Sequence, residues 1–124
     1  MNFQDAVRTC LSKYATFSGR AARSEFWWFV LFLMVMNLLL AILDRALFGV
    51  TSDGQPISII GAVFSLAIIL PSIAVGVRRL HDLDKSGWWY LLILIPFLGA
   101  LVLIYFFVQK GSAGENRFGP DPLA

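Results

Sequence analysis

Phe26-Trp-Trp-Phe-Val-Leu-Phe-Leu-Met-Val-Met-Asn-Leu-Leu-Leu-Ala-Ile-Leu43 contains no charged side chain. Its 18 residues put it at the short end of a membrane-spanning helix. The aromatic cluster Phe26, Trp27 and Trp28 marks a membrane boundary, where amphipathic rings favour headgroup depth. Asn37 is the one strongly polar residue within. An unpaired amide in hydrocarbon is costly, so Asn37 is expected to hydrogen-bond across to another helix.

Working outward, two further apolar runs follow, at residues 57–77 and 88–108. In the second run Gly61 with Ser65, and Ser72 with Gly76, have the four-residue spacing that lets helix backbones approach closely in lipid. Pro71 removes one backbone donor and is expected to kink that helix. The third run starts at Trp88 and Trp89 and carries Pro96 and Gly99 at its centre. It reads as a kinked continuous span, because each half is too short to cross alone. A broken or re-entrant helix is the alternative, since irregular backbone at membrane depth needs protein to cover it. The stretch Thr51-Ser-Asp-Gly-Gln-Pro56 is a turn between the first two spans, and residues 78–87 form a short polar connection to the third.

The whole chain agrees with this reading. Its 124 residues are 58% hydrophobic and only 15% charged, which is room for one domain and too much apolar surface for a soluble core of that size. A net charge of +2, with basic residues flanking apolar runs, excludes a nucleic-acid interface and points to lipid headgroups. Cys10 is the single cysteine, so neither an internal disulfide nor a cysteine metal cluster is available. No cleavable signal peptide is expected, because the first apolar run begins only near Phe26 and outlasts a signal core.

At the amino end, residues 1–17 place Phe3, Val7, Cys10, Leu11 and Tyr14 opposite Gln4, Asp5, Arg8, Thr9, Ser12 and Lys13. This is an amphipathic helix, expected on the membrane interface or against the ends of the spans. Residues 109–124 are a Gly- and Pro-rich polar tail, read as a shaped cap. The fold expected is therefore an all-α integral membrane protein: one interfacial helix, three transmembrane helices (26–43, 57–77 and 88–108) and a tail. Seven basic residues lie in the amino-terminal segment and second loop, against three in the first loop and tail. That bias places the amino terminus inside and, with three spans, the tail outside.

Two polar motifs then share the inner face: Arg20, Arg23 and Glu25 before the first span, and Arg78, Arg79, His81, Asp82, Asp84 and Lys85 after the second. One reading is mutual neutralisation, Glu25 with Arg78 or Arg79 and Asp82 with Arg20 or Arg23, fixing how the helices pack. The other is display, since guanidinium forks bind phosphate or carboxylate bidentately and sit here at headgroup depth. His81 beside Asp82 has the form of an acid–base pair. No nucleophile at recognisable spacing and no second zinc ligand accompany it, so no catalytic residue, cofactor or metal site is assigned.

Four motifs taken together carry a resemblance: Phe17-Ser-Gly-Arg-Ala-Ala-Arg-Ser-Glu-Phe-Trp27; Arg78-Arg-Leu-His-Asp82 with Asp84-Lys-Ser-Gly-Trp-Trp89; Ile95-Pro-Phe-Leu-Gly99; and Gly114-Glu-Asn-Arg-Phe-Gly-Pro-Asp-Pro122. In this order and over nearly the whole chain, they resemble the family called domain of unknown function 805. Ala22 departs from the pattern, where such proteins often carry another arginine. The resemblance implies a multi-pass protein of the bacterial inner membrane and supplies no activity. The function expected is a non-enzymatic module whose arginine-rich face, Arg20, Arg23, Glu25, Arg78, Arg79, His81 and Asp82, binds an anionic lipid or a partner protein. A subunit of an oligomeric transporter or channel is the second reading, and a membrane enzyme acting on lipid phosphate through His81 and Asp82 the third.

Overall fold

The computed structural model describes residues 2–122; Met1, Leu123 and Ala124, at the ends of the expected amphipathic segment and tail, lie outside the described residues. The regular elements among the described residues are all helices: α1 (Phe3–Ser12), α2 (Arg23–Phe48), α3 (Ile59–Asp82), a 3-10 helix (Gly87–Leu94) and α4 (Leu98–Val108). There is no strand among the described residues, only the isolated bridges Val50 to Pro56 and Asn116 to Gly119.

Two helices, α2 and α3, are long and apolar enough to cross a membrane. At 26 and 24 residues they extend about 39 and 36 Å, longer than the roughly 30 Å hydrocarbon core. Only 6% of the most apolar 18-residue window of α2, and 22% of that of α3, is buried. The core helix of a soluble protein would be mostly covered, whereas these exposed apolar surfaces are compatible with membrane spans.

The ends of these helices are set by specific groups. α2 stops at Gly49, which has φ +71° and donates its N–H to the Arg45 carbonyl. α3 receives no cap from its own Ser58. Asp44 of α2, 1% exposed, supplies it instead, accepting from the N–H groups of Ile60 (2.9 Å) and Gly61 (2.8 Å). A carboxylate there satisfies two orphan donors and complements the positive helix end. α3 closes through Asp84, at φ +58°, with Lys85 N–H returning to the Leu80 carbonyl.

Pro71 lies within α3 and leaves the Ala67 carbonyl without its usual donor. The Tyr14 hydroxyl donates to that carbonyl. At its other end α1 sets Phe3 edge-on to Trp28, 5.9 Å between centroids, so the segment 3–14 bridges both long helices. α1 ends at Ser12, short of the expected 17, and the side chains it buries are the small Ala6 and Cys10. Phe3, Leu11 and Tyr14 of the expected apolar face remain about 40% exposed. Close packing on α2 selects small residues, and the larger ones stay outside.

The third apolar segment corrects the expectation of one kinked span. It divides at Pro96 into the 3-10 helix and α4, with Phe97 between them at φ +60°. Eight residues of 3-10 helix and eleven of α-helix each reach about 16 Å, half a bilayer. The two arms fold back on each other, and Gly99 makes this possible: a Cβ there would overlap the Leu92 carbonyl. Gly76 similarly admits the Tyr90 ring against α3. Both ends of the hairpin consequently lie at the carboxyl end of α3. The tail, expected at the opposite face, lies there as well, with Ser112 N–H on the Asp82 carbonyl. The core at this end joins Cys10, Ala21, Phe26, Phe29, Val75, Leu80, Leu103 and Phe107.

Candidate functional site

The polar motifs meet where the amino end of α2, the carboxyl ends of α3 and α4, and the tail converge. Asp82 is the hub. Its Oδ1 accepts from Arg20 Nε at 2.9 Å and Nη2 at 2.8 Å, and its Oδ2 accepts from Arg79 Nη1 at 2.5 Å. Arg20 also donates to the carbonyls of Ser112, Gly114 and Gly119. Its fork therefore fastens the tail to α3, and a Cβ on Gly111 would overlap the Asp82 carboxylate.

The carboxyl end of α4 leaves carbonyls with no partner inside the helix. Phe107 O accepts from Trp27 Nε1 (3.0 Å) and Arg79 Nε (3.3 Å), Val108 O from Arg23 Nη1 (3.1 Å), and Gln109 O from Arg79 Nη2. Guanidiniums stabilise this negative helix end, so Arg79 binds the returning arm of the hairpin as well as Asp82.

Glu25 and Arg78 form a second, more isolated pair. Glu25 Oε2 accepts from Arg78 Nη1 at 2.5 Å, with side chains 4% and 0% exposed. Arg78 Nε and Nη2 are buried without a partner among the described residues. Cys10 Sγ lies 3.6 Å from the same oxygen. Burial, then the Glu25 charge, pushes the thiol pKa up to about 12, so Cys10 remains protonated and inert.

Thus Arg20, Glu25, Arg78, Arg79, His81 and Asp82 come together, but they face one another. Arg78 and Arg79 are fully buried, Arg20 is 6% exposed, and only Arg23 of the four arginines is exposed at the surface. Two pairings follow the neutralising alternative, Glu25 with Arg78 and Asp82 with Arg20, whereas Arg79 joins Asp82 instead of Glu25 and Arg23 joins the Val108 carbonyl instead of Asp82. His81 does not engage Asp82. Its Nδ1 donates to the Gly19 carbonyl at 2.9 Å, and its ring stacks on Phe118 at 4.0 Å and 2°. Asp84 joins the exposed Arg117 at 3.3 Å. Lys85 lies over the rings of Trp89 and Phe106.

Sequence reasoning passed over several of these partners. Asp44 read as the end of a span, whereas it caps the next helix. Trp27 read as a boundary aromatic, whereas its N–H holds α4. Asn116, whose Nδ2 donates to the His81 carbonyl at 2.9 Å, gave no signal beyond its place in the glycine-rich motif. The Asn37 side-chain amide makes no hydrogen bond among the described residues; it lies exposed beside Ala41, Asp44, Ser58, Gly61 and Ser65 in a groove of about 300 Å³.

The profile of the family described as "Protein of unknown function (DUF805)" matches residues 14–120. The chain is 46% identical over 112 residues to the inner membrane protein YhaH of Escherichia coli K12, covering 90% of this chain and 91% of that protein. It is 40% identical to the inner membrane protein YhaI of the same strain, with 90% of each covered. The uncharacterized protein YiiR of that strain is 27% identical over 133 residues, with 86% and 85% covered. No solved structure matches the chain. With the family profile spanning the segment from Tyr14 through the tail and its arginine lock, the chain belongs to the DUF805 family of proteins of unknown function.

Proposed function

We propose that the chain is a non-enzymatic module of the bacterial inner membrane: α2 and α3 cross it, the hairpin of residues 87–108 enters and leaves from the cytoplasmic side, and both termini are cytoplasmic. The charge distribution carries this reading. With the hairpin folded back, Arg8, Lys13, Arg20, Arg23, Arg78, Arg79, Lys85, Lys110 and Arg117 share one end, leaving Arg45 alone at the other. Nine against one is a stronger orientation signal than the seven against three of a three-span chain. All four tryptophans, at 27, 28, 88 and 89, also stand at the entries of α2 and the hairpin, a depth suited to the headgroup layer.

In this module the buried arginines lock the structure, and contact with anionic lipid passes to the exposed Arg8, Lys13, Arg23 and Lys110. Native mass spectrometry of the protein from native-membrane nanodiscs tests it. Replacing those four residues by Gln is expected to strip retained anionic lipid while helical content is kept; unchanged lipid retention refutes the contact.

A second reading, the subunit of a homo-oligomer, is favoured by Asn37. An exposed amide inside a span is self-complementary across a two-fold axis and is satisfied by a second copy. The same spectra count subunits, and a strict monomer with native lipid overturns it.

A further inference from the structure

Beside the arginine lock lies an open cleft of about 530 Å³ whose walls include Phe17, His81, Gly87, Trp88 and Phe118. Its volume is that of a small-ligand site. His81 is 8% exposed, and its Nδ1 is committed to the Gly19 carbonyl. A carbonyl only accepts, so Nδ1 carries the proton, and in the neutral imidazole Nε2 keeps its lone pair. Nothing among the described residues donates to Nε2. A Cβ placed on Gly87, itself a wall of the cleft, would stand 3.7 Å from Nε2, so this acceptor borders the cleft.

We propose that the cleft binds a hydroxyl-bearing aromatic ring, a phenol or hydroquinone head, whose O–H donates to His81 Nε2 while the ring packs on Phe17, Trp88 and the edge of Phe118. The chemistry selects this class. A lone acceptor requires a donor, which excludes groups offering only acceptors, such as an oxidised quinone or an ether. The walls are aromatic, Phe17 and Trp88 beside the edge of Phe118, whose faces are taken by the imidazole and the Arg117 guanidinium. A ligand ring therefore meets the His81–Phe118 stack edge-on, where Nε2 lies. An ammonium is disfavoured because the Arg117 guanidinium already lies 4.8 Å over Phe118.

The test uses the full chain in phosphatidylcholine nanodiscs, with saturation-transfer NMR titrations of hydroquinone and of 1,4-dimethoxybenzene and empty nanodiscs subtracted. Hydroquinone is expected to bind saturably and about tenfold more tightly than its dimethyl ether, the worth of one hydrogen bond to a buried acceptor. His81→Asn keeps an amide donor near the Nδ1 position and removes the acceptor. It should weaken hydroquinone about tenfold and leave dimethoxybenzene unchanged, which also reports that the cleft has kept its shape. Gly87→Ala, which narrows the cleft beside Nε2, should weaken both rings. A prenyl-tailed hydroquinone that gains affinity beyond its partitioning supports a bilayer source, and one that does not supports a cytosolic source of the same ring. Equal affinity for the two rings, or hydroquinone binding indifferent to His81→Asn, overturns the proposal.

Discussion

The Glu25–Arg78 pair offers a sharp test of what the buried charges do. Both side chains are out of solvent, one 2.5 Å contact joins them, and two Arg78 donors are unpartnered among the described residues. Glu25→Met leaves a guanidinium with no counter-charge, and Arg78→Met leaves a carboxylate whose remaining side-chain neighbour is a protonated thiol. Each single change should cost about 3–5 kcal/mol, the usual penalty for orphaning a buried charge. The double change removes both desolvation costs together with the unpaired donors. It should match the wild type or exceed it by about 1–4 kcal/mol. Asp82 behaves differently because two guanidiniums, and through them the tail carbonyls, depend on it. Replacing Asp82 and Arg20 together by Met therefore remains destabilising, since Arg79 is still orphaned. Reversible unfolding in mixed detergent micelles, followed by circular dichroism, measures all of these. A Glu25, Arg78 double variant as unstable as its singles would refute the reasoning, and would place an essential partner on the free Arg78 donors.

Gly99→Ala should open the hairpin, because the added Cβ meets the Leu92 backbone and no side chain can move aside; faster trypsin cleavage at Lys110 is the readout, and cleavage at the wild-type rate contradicts it. Cys10, with its thiol raised to about 12, should resist maleimide at about pH 8 in the folded protein and react rapidly once unfolded, since protonation and burial both withdraw the thiolate; prompt labelling of the folded chain contradicts it. Tyr14→Phe should cost about 1 kcal/mol in the wild type and less in a Pro71→Ala background, where residue 71 regains the amide that serves Ala67; equal losses in both backgrounds would show that the two groups are uncoupled. Asp44→Ala should cost about 1–2 kcal/mol through loss of the cap on α3, measured by the same unfolding assay.

The two long helices were legible because an uninterrupted apolar run needs no knowledge of its neighbours. Their ends were less so: α2 extends to Phe48 and α3 to Asp82, past the charges at Asp44, Arg45, Arg78 and Arg79. Asp44, Arg78 and Arg79 find partners within the protein and therefore do not stop the helix. The hairpin was visible only as an alternative. Pro96 and Gly99 announce an interruption, but a kink and a reversal differ in whether Gly99 accepts the Leu92 carbonyl against it, a contact between residues already folded. That Glu25 would pair with Arg78 or Arg79, and Asp82 with Arg20 or Arg23, followed from charge and from the two motifs sharing one face. That the guanidiniums also bind the carbonyls of α4 and the tail did not, because backbone acceptors carry no sequence signature. The same blindness hid Tyr14 and Asp44, whose partners are the backbone of α3.

The side of the membrane reached by the tail tests the central claim most directly. In a Cys10→Ser background, Ser112→Cys and Thr51→Cys variants are labelled with a membrane-impermeant maleimide, in intact spheroplasts and in inverted vesicles. With a re-entrant hairpin, the Ser112→Cys protein reacts only in inverted vesicles and the Thr51→Cys protein only in spheroplasts. Labelling of both variants from the spheroplast exterior would show that residues 87–108 cross the bilayer, and would contradict the re-entrant hairpin and the cytoplasmic arginine lock together.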